Sequence, residues 1–242
     1  MNVLERILEN LPKEKMAISH VLVGAHWTLV CSRFCGLAST LLPDEPHGSS
    51  SVRDVGKLHL KDAQELASWA LSRNVLEASI GMAAINSLLE VDEANTVEGD
   101  ALEILLKRGE GKNIAFVGHF PFIPKLKPVA KELWVIEQKP TLSEIDARQA
   151  AKVLYQADVA VITGTTLINH TFEELLSFCP KDAFIMMLGP STPVTPLLFE
   201  FGVDMVSGVK VVAPQEAMLT IQQGAIFPQI NGVQRLTLMK KD

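Results

Sequence analysis

After Gly111 the chain alternates short unbroken apolar runs with longer segments of helical pattern. The apolar runs are NIAFVG, ELWVIE, DVAVIT, AFIMMLG and VDMVSG; the helical stretches are SEIDARQAAKVLYQ, NHTFEELLSF, TPLLFEFG and PQEAMLTIQQG. A run of five or six apolar residues without polar alternation is buried on both faces, as in a parallel sheet covered by helices on each side. Parallel strands need crossover connections, and these are right-handed, so few topologies remain. The expectation is an α/β domain with a Rossmann-like, doubly wound parallel sheet over residues 100–242.

The first hundred residues follow another rhythm. Val3, Leu4, Ile7, Leu8 and Leu11 recur at helical spacing up to Pro12. From Ile18 to Thr40, β-branched and apolar residues punctuated by Gly24 and Gly36 read as two or three antiparallel strands. A turn-rich loop, LLPDEPHGSSSVRDVG, leads to Asp62, an N-cap for DAQELASWALSR, with Glu65 placed as in a capping box. Asn74 interrupts, and a second helix runs from about Val75 to Leu89. Ser79, Gly81, Ala83, Ala84 and Ser87 make that helix thin, so a neighbour must pack closely on it. Strands first and helices after give a smaller α+β domain, residues 1–99, ahead of the Rossmann-like one, residues 100–242.

Composition removes several classes of partner. Lys and Arg number 22 against 28 Asp and Glu, a net charge of −6. That argues against nucleic acid, which needs a basic face to neutralise its phosphates, and more weakly against an anionic membrane surface. No apolar run reaches the ~18 residues of a spanning helix, and the acids within MNVLERILENLPKEK do not suit a signal peptide. A cytoplasmic protein is expected; a homodimer is left open. Cys31, Cys35 and Cys179 are an odd number and too few for a disulfide framework, which fits a reducing compartment. Cys31 and Cys35 lack further Cys or His at zinc-ligand spacing, the nearest candidates being His47 and His59, and they read as structural.

In an open parallel sheet ligands bind beyond the carboxyl ends of the strands. Those ends are Gly118-His119-Phe120, Glu137-Gln138, Thr163-Gly164-Thr165-Thr166, Gly189-Pro190-Ser191-Thr192 and Ser207-Gly208. Glycine lets backbone approach a ligand, and hydroxyls and free N–H groups meet polar edges; glycine that merely makes a turn is the plain alternative for any single loop. Candidate ligand-binding residues are therefore Gly118, Gly164, Thr165, Thr166, Gly189, Pro190, Ser191 and Thr192. Glu137 stands 19 residues after Gly118, about where a dinucleotide site places its ribose-binding acid, but GHFPFIP has one glycine where that site needs three. No motif names a cofactor.

His119 and Glu137 are the candidate catalytic acid–base groups. The alternatives are a loop histidine bonded to backbone and a solvated strand-end acid. Asn169 is either a helix N-cap or a ligand contact. Asn86, an amide on the thin helix, either bonds backbone or completes a pocket between the two halves. No Ser-His-Asp set, nucleophile elbow or Walker motif is present.

The runs TGTTLINHTFEELL (163–176) and LGPSTPVTPLLFEFGVD (188–204), with GLAST (36–40) and ASIGMAAINSL (78–88), resemble a family named for heavy-metal chelation. The resemblance covers nearly the whole chain. It implies an enolase-N-terminal-like domain joined to a Rossmann-like one, with a site between them, and strengthens Asn169 as a ligand contact. It implies a small polar organic ligand or metal chelate, and condensation or hydrolysis of siderophore-, pterin- or flavin-like molecules. The alternatives are a non-catalytic carrier of metal chelates and an adenosyl-dependent methyltransferase.

Overall fold

The computed structural model describes residues 1–43, 51–96 and 101–241. His47 and the division at residue 99 lie outside the described residues. Helix α1 (Val3–Asn10) opens with a capping box: Asn2 accepts from the Glu5 N–H and the Glu5 carboxylate accepts from the Asn2 N–H. Strands β1 (His20–Val23), β2 (Trp27–Cys31) and β3 (Cys35–Ser39) form the small antiparallel sheet. Asp62 caps α2 (Ala63–Ser68), but the Glu65 carboxylate turns to Lys61, so the expected second capping box is half formed. A 3-10 turn at 69–71 leads to α3 (Val75–Leu88), which Asn74 caps through two backbone N–H groups.

Cys31 and Cys35 correct the expectation of unpaired thiols. The three-residue turn 32–34 sets them opposite each other in the β2–β3 register, and a disulfide joins them. Cys179 is free.

The second half contains α4 (Ala101–Gly109), β4 (Asn113–Val117), α5 (Ile123–Leu126), β5 (Glu132–Glu137), β6 (Ile145–Asp146), α6 (Ala150–Leu154), β7 (Val159–Thr163) and α7 (Thr165–Ile168). It continues through α8 (Phe172–Ser177), β8 (Phe184–Leu188), β9 (Met205–Val211), α9 (Pro214–Gln222) and β10 (Val233–Met239). The sheet order is β10-β9-β8-β7-β4-β5-β6, parallel from β9 to β6, with β10 antiparallel at the edge. From β4 the chain winds outward to β6, then restarts at β7 on the other side of β4. The winding reverses between β4 and β7, which makes that gap the topological switch point.

Both faces of this sheet are buried, as the unbroken apolar runs require. Ala115, Val117, Ala160 and Ile162 join one core that also holds Ile7, Leu66, Ile80 and Ile85 from α1, α2 and α3. Ile114, Phe116, Val159 and Val161 join the other, with Leu105 of α4 and Ile123 and Leu126 of α5. The N-terminal helices thus share one continuous core with the large sheet. Polar bonds reinforce the junction: Glu173 accepts from the Val3 N–H at 2.9 Å, Arg6 meets Glu200 at 2.9 Å, and His170 Nε2 lies 2.9 Å from the Ser72 carbonyl oxygen.

Glu77, on the first turn of α3, is nearly buried and holds the segment after residue 51 in place. Its carboxylate accepts from Arg53 N–H, Arg53 Nε and Ser72 Oγ at 2.7–2.9 Å. Burial raises its pKa, but the Arg53 guanidinium, the Ser72 hydroxyl and the Arg53 N–H outweigh burial and leave it lowered. A carboxyl with a lowered folded pKa stabilises fully above its unfolded value of about 4.3, and that contribution is lost as pH falls through the lower folded value. Glu77→Gln is expected to cost about 1–3 kcal/mol at neutral pH, with the difference from the parent chain narrowing in acid. Urea unfolding at several pH values measures it; a gap that does not shrink in acid would contradict the assignment.

Candidate functional site

The loops after β4, β5, β7 and β8 open on one edge of the sheet, because those strands are parallel, and there they border a cavity of about 1380 Å³. That exceeds the ~300–1,000 Å³ usual for a small-molecule pocket. Ser207-Gly208, expected at a strand end, lies inside β9, so that strand borders the cavity with its own residues Ser207, Gly208 and Val209 and not with the loop after it. Gly118 and Gly189, at the ends of β4 and β8, take φ of +101° and +120°, which only glycine adopts without strain. Thr163 lies between these two turns. Its hydroxyl accepts from Thr165 Oγ1 at 3.1 Å, and its carbonyl accepts from Thr166 Oγ1 at 2.7 Å. Ser207 and Thr237, both buried, exchange a 3.0 Å bond at the β9–β10 side.

Of the residues singled out from sequence, Gly118, His119, Glu137, Thr165, Thr166, Asn169, Gly189 and Pro190 line this cavity. Gly164, Ser191, Thr192 and Asn86 do not. They form the seam behind it. A Cβ on Gly164 would lie 2.5 Å from Thr192 N. Ser191 Oγ accepts from the Ser39 N–H at 2.8 Å and donates to Ser39 Oγ at 3.0 Å. Asn86 Nδ2 donates to the carbonyls of Leu37 and Ser191 at 2.9 and 3.4 Å, so its amide ties α3 to β3 and to the loop after β8. Asn86 Oδ1 and Thr192 Oγ1 are buried there without a partner among the described residues. Asn169 is not an N-cap: it ends α7, and its side-chain amide oxygen Oδ1 accepts from Thr171 Oγ1 at 2.7 Å.

The N-terminal half reaches the cavity through Trp27, Ser39 and Leu41, of which only Ser39, in GLAST, fell within a stretch singled out from the sequence. Trp27 packs on Phe227 with ring centroids 5.7 Å apart, and the Arg235 guanidinium lies over the outer ring at 5.7 Å. Across the cavity Phe120 stacks on Phe122 at 5.7 Å, so the loop after β4 presents aromatic surface where a dinucleotide site would present bare backbone. The walls are thus flat and apolar at both ends, with polar groups between.

His119 carries the best-defined polar geometry. Among the described residues its ring bonds no backbone atom. Nδ1 lies 3.0 Å from Glu144 Oε1, and Glu144 Oε2 accepts from the Thr141 N–H at 2.8 Å. The N–H and hydroxyl of Thr141 hold the Glu144 carboxyl below the usual carboxylate range; burial opposes them and His119 adds to them. A carboxylate so fixed sets the tautomer of His119, and Nε2 has no partner among the described residues. Glu144 is 25 residues from His119 and had no signal in the sequence. Arg148 also borders the cavity but is engaged by Asp146, whose pKa the guanidinium and N–H of Arg148 lower to about 2. Glu137 borders the cavity with no hydrogen-bond partner among the described residues.

A bare metal ion does not suit this donor set. Among the described residues no three His, Cys, Asp or Glu side chains stand together as ligands. What the cavity offers is one oriented imidazole, the carboxylates of Glu137 and Glu174, several hydroxyls and aromatic walls. That combination can enclose a polar, flat organic molecule and place a proton donor or acceptor beside it. No helix among the described residues is long and apolar enough to cross a membrane.

Two crystal structures of DUF364-family proteins of unknown function share the fold. One, from Desulfitobacterium hafniense, is 23% identical and superposes with a TM-score of 0.85 over 98% of both chains. The other, from Pyrococcus horikoshii, is 19% identical, with a TM-score of 0.84 over 99% of this chain and 100% of that one. An uncharacterised protein of Methanocaldococcus jannaschii is 30% identical over 195 residues, 77% of this chain and 74% of its own. The DUF4213 family model, described as "Putative heavy-metal chelation", matches residues 4–89, and the DUF364 model, with the same description, matches residues 100–240. With more than half of its length under the second model, the chain belongs to the DUF364 family.

Proposed function

We propose that the chain binds a small polar organic molecule, free or as a metal chelate, in the cleft between the switch-point loops and the N-terminal sheet. The single observation that carries this reading is the His119–Glu144 pair at the cavity wall. An imidazole held by a buried-side carboxylate is pre-set to donate or accept at Nε2, and its orientation has no evident packing purpose, since the ring is more than half exposed. A chelate suits the cleft better than a naked cation because the organic part brings most of the metal's donors itself. In a hydrolysis or condensation His119 is the group that moves the proton, and Glu137 is a carboxylate that borders the same cavity.

Native mass spectrometry of the freshly purified chain tests the reading. The expected result is a mass above that of the polypeptide, released on denaturation, and at least tenfold lower occupancy in His119→Ala, whose exposed ring contributes little to the core. Parent and variant preparations carrying equal added mass, or none in either, would overturn it.

A further inference from the structure

At one end of the cleft the β9–β10 ribbon rises past its neighbours. Ser207 pairs with Leu188, the last residue of β8, and with Thr237 of β10, so the ribbon beyond that pair stands above the other strands. Residues two apart on a strand share a face, and antiparallel register partners share it with them. Arg235 and Thr237 therefore lie on one face with Val209 and Ser207, and all four border the cleft. The Ser207 and Thr237 hydroxyls share one bond, so one of their two protons has no acceptor among the described residues. The sheet order sets β10 four strand spacings from β4, about 19 Å, so this end is remote from His119.

Among the described residues four arginines lie over aromatic rings. Arg33 is neutralised by Glu90 and Arg53 by Glu77. Arg108 lies over Phe184 at 4.8 Å, at the amino end of β8, and neither borders the cleft. Arg235, over Phe227, does border it and has no carboxylate partner among the described residues. In a chain of net charge −6, that leaves an unneutralised guanidinium on the cavity wall. A guanidinium stacked on a ring keeps its N–H donors at its own edge, where a carboxylate can take two of them at once.

We propose that the β9–β10 end of the cleft is a subsite for a planar aromatic carboxylate. The Arg235 guanidinium and the uncommitted hydroxyl of the Ser207–Thr237 pair hold the acid, and Trp27 and Phe227 hold the ring. Arg235 and Thr237 are two residues apart, about 7 Å along the strand, which an arginine side chain and one carboxylate span together. Trp27, Val209, Ile226 and Phe227 give this end an apolar wall that a bare inorganic anion would leave unused. The volume of about 1380 Å³ leaves room for the subsite beyond a ligand at His119. The inference rests on the reading of the cleft as an organic-ligand site and places the ligand's acid at the end far from His119.

The experiment titrates the full chain by calorimetry with naphthoate, with its neutral amide, and with naphthoate in the presence of inorganic phosphate. One naphthoate per chain is expected, with the amide at least tenfold weaker and phosphate unable to displace the acid. Arg235→Gln should bring naphthoate down to the level of the amide. Arg108→Gln, which removes the same charge from the opposite edge of the sheet, should leave naphthoate binding unchanged. Arg235 is exposed, so its variant keeps the fold, and a circular dichroism melt checks this. No naphthoate binding, equal affinity for acid and amide, full affinity in Arg235→Gln, or an equal loss in Arg108→Gln would overturn the subsite. Displacement by phosphate at matched concentration would overturn its aromatic half. The co-purified mass and His119→Ala test the cleft reading separately: a chain that carries no mass yet binds naphthoate through Arg235 loses that reading and keeps the subsite.

Discussion

Gly36→Ala is expected to cost about 3 kcal/mol of stability, more than overpacking a pliable site would. A Cβ on Gly36 would lie 2.2 Å from the Ala83 carbonyl oxygen, 2.3 Å from Ser87 N and 2.6 Å from the Asn86 carbonyl carbon. All three are backbone atoms of α3, so no side chain can rotate to make room. Nor can the helix retreat. On its other side Gly81 is pressed against the turn after α2, where an added Cβ would meet Ala70 N at 2.0 Å and Trp69 C at 2.5 Å. Helix α3 is therefore clamped between β3 and the 69–71 turn, with a glycine at each contact. Displacing it would also pull on the Ser87 carbonyl, which accepts from the Phe34 N–H at 3.0 Å, and on the Asn86 amide. Urea unfolding measures the loss through the midpoint at constant slope. A loss below about 0.5 kcal/mol would mean that β3 and α3 can separate freely, and the clamp would be wrong.

The thin face of that helix was legible in the sequence because small residues recur at helical spacing, whatever their partner. The parallel strands were legible for a related reason: burial on both faces writes itself as an unbroken apolar run in β4, β5, β7, β8 and β9. What escaped has no such signature. Strand β10 (Val233–Met239) carries Gln234 and Arg235 exposed and then Leu236, Thr237 and Leu238 buried in succession, so neither alternation nor an apolar run announces it. Helix α5 is one turn long and lies among Pro121, Pro124 and Pro128, each of which reads as a stop. Glu65 had the right spacing for a capping box, yet Lys61 competes for its carboxylate. Spacing specifies an opportunity, and the nearest charge decides how it is used.

The candidate site divides along the same line. Strand polarity is a topological property, so loops after parallel strands had to share an edge, and Gly118, Thr165 and Gly189 border one cavity for that reason. The direction in which a loop residue points is set by tertiary contacts. Ser191 and Thr192 follow Gly189 and Pro190 directly, yet they turn inward to Ser39 and toward Gly164, because β3 and α3 pack there. Trp27, Phe227 and Arg235 reach the cavity from opposite ends of the chain, and no single stretch of sequence contains their meeting. His119 was conspicuous beside its glycine, but Glu144, which orients it, sits in a polar loop where one more acid carries no information.

Gly164→Ala is expected to separate the two central loops of the cleft, lower stability by about 2–3 kcal/mol and empty the cavity. Its φ of −59° and ψ of −15° suit alanine, so backbone strain is not the cause. The obstacle is the space: a Cβ there would meet Thr192 N at 2.5 Å, Thr192 Oγ1 at 2.6 Å and Ser191 C at 2.9 Å. The Thr192 hydroxyl could turn away, but its backbone nitrogen, which donates to the Gly189 carbonyl at 2.9 Å, could not. The loop after β8 would have to move as a unit, taking Gly189 and Pro190 from the cavity wall and loosening the Ser191 bonds that join it to β3. Thr165→Ala is the matched comparison. It removes one hydroxyl and leaves both loops where they are, so it should cost less than about 1 kcal/mol and reduce occupancy without abolishing it. Circular dichroism melts and native mass spectrometry on the two variants separate the effects. If Gly164→Ala keeps the parent's stability and its bound mass, the loops after β7 and β8 are not packed backbone to backbone, and the shared wall of the cleft is lost as an explanation.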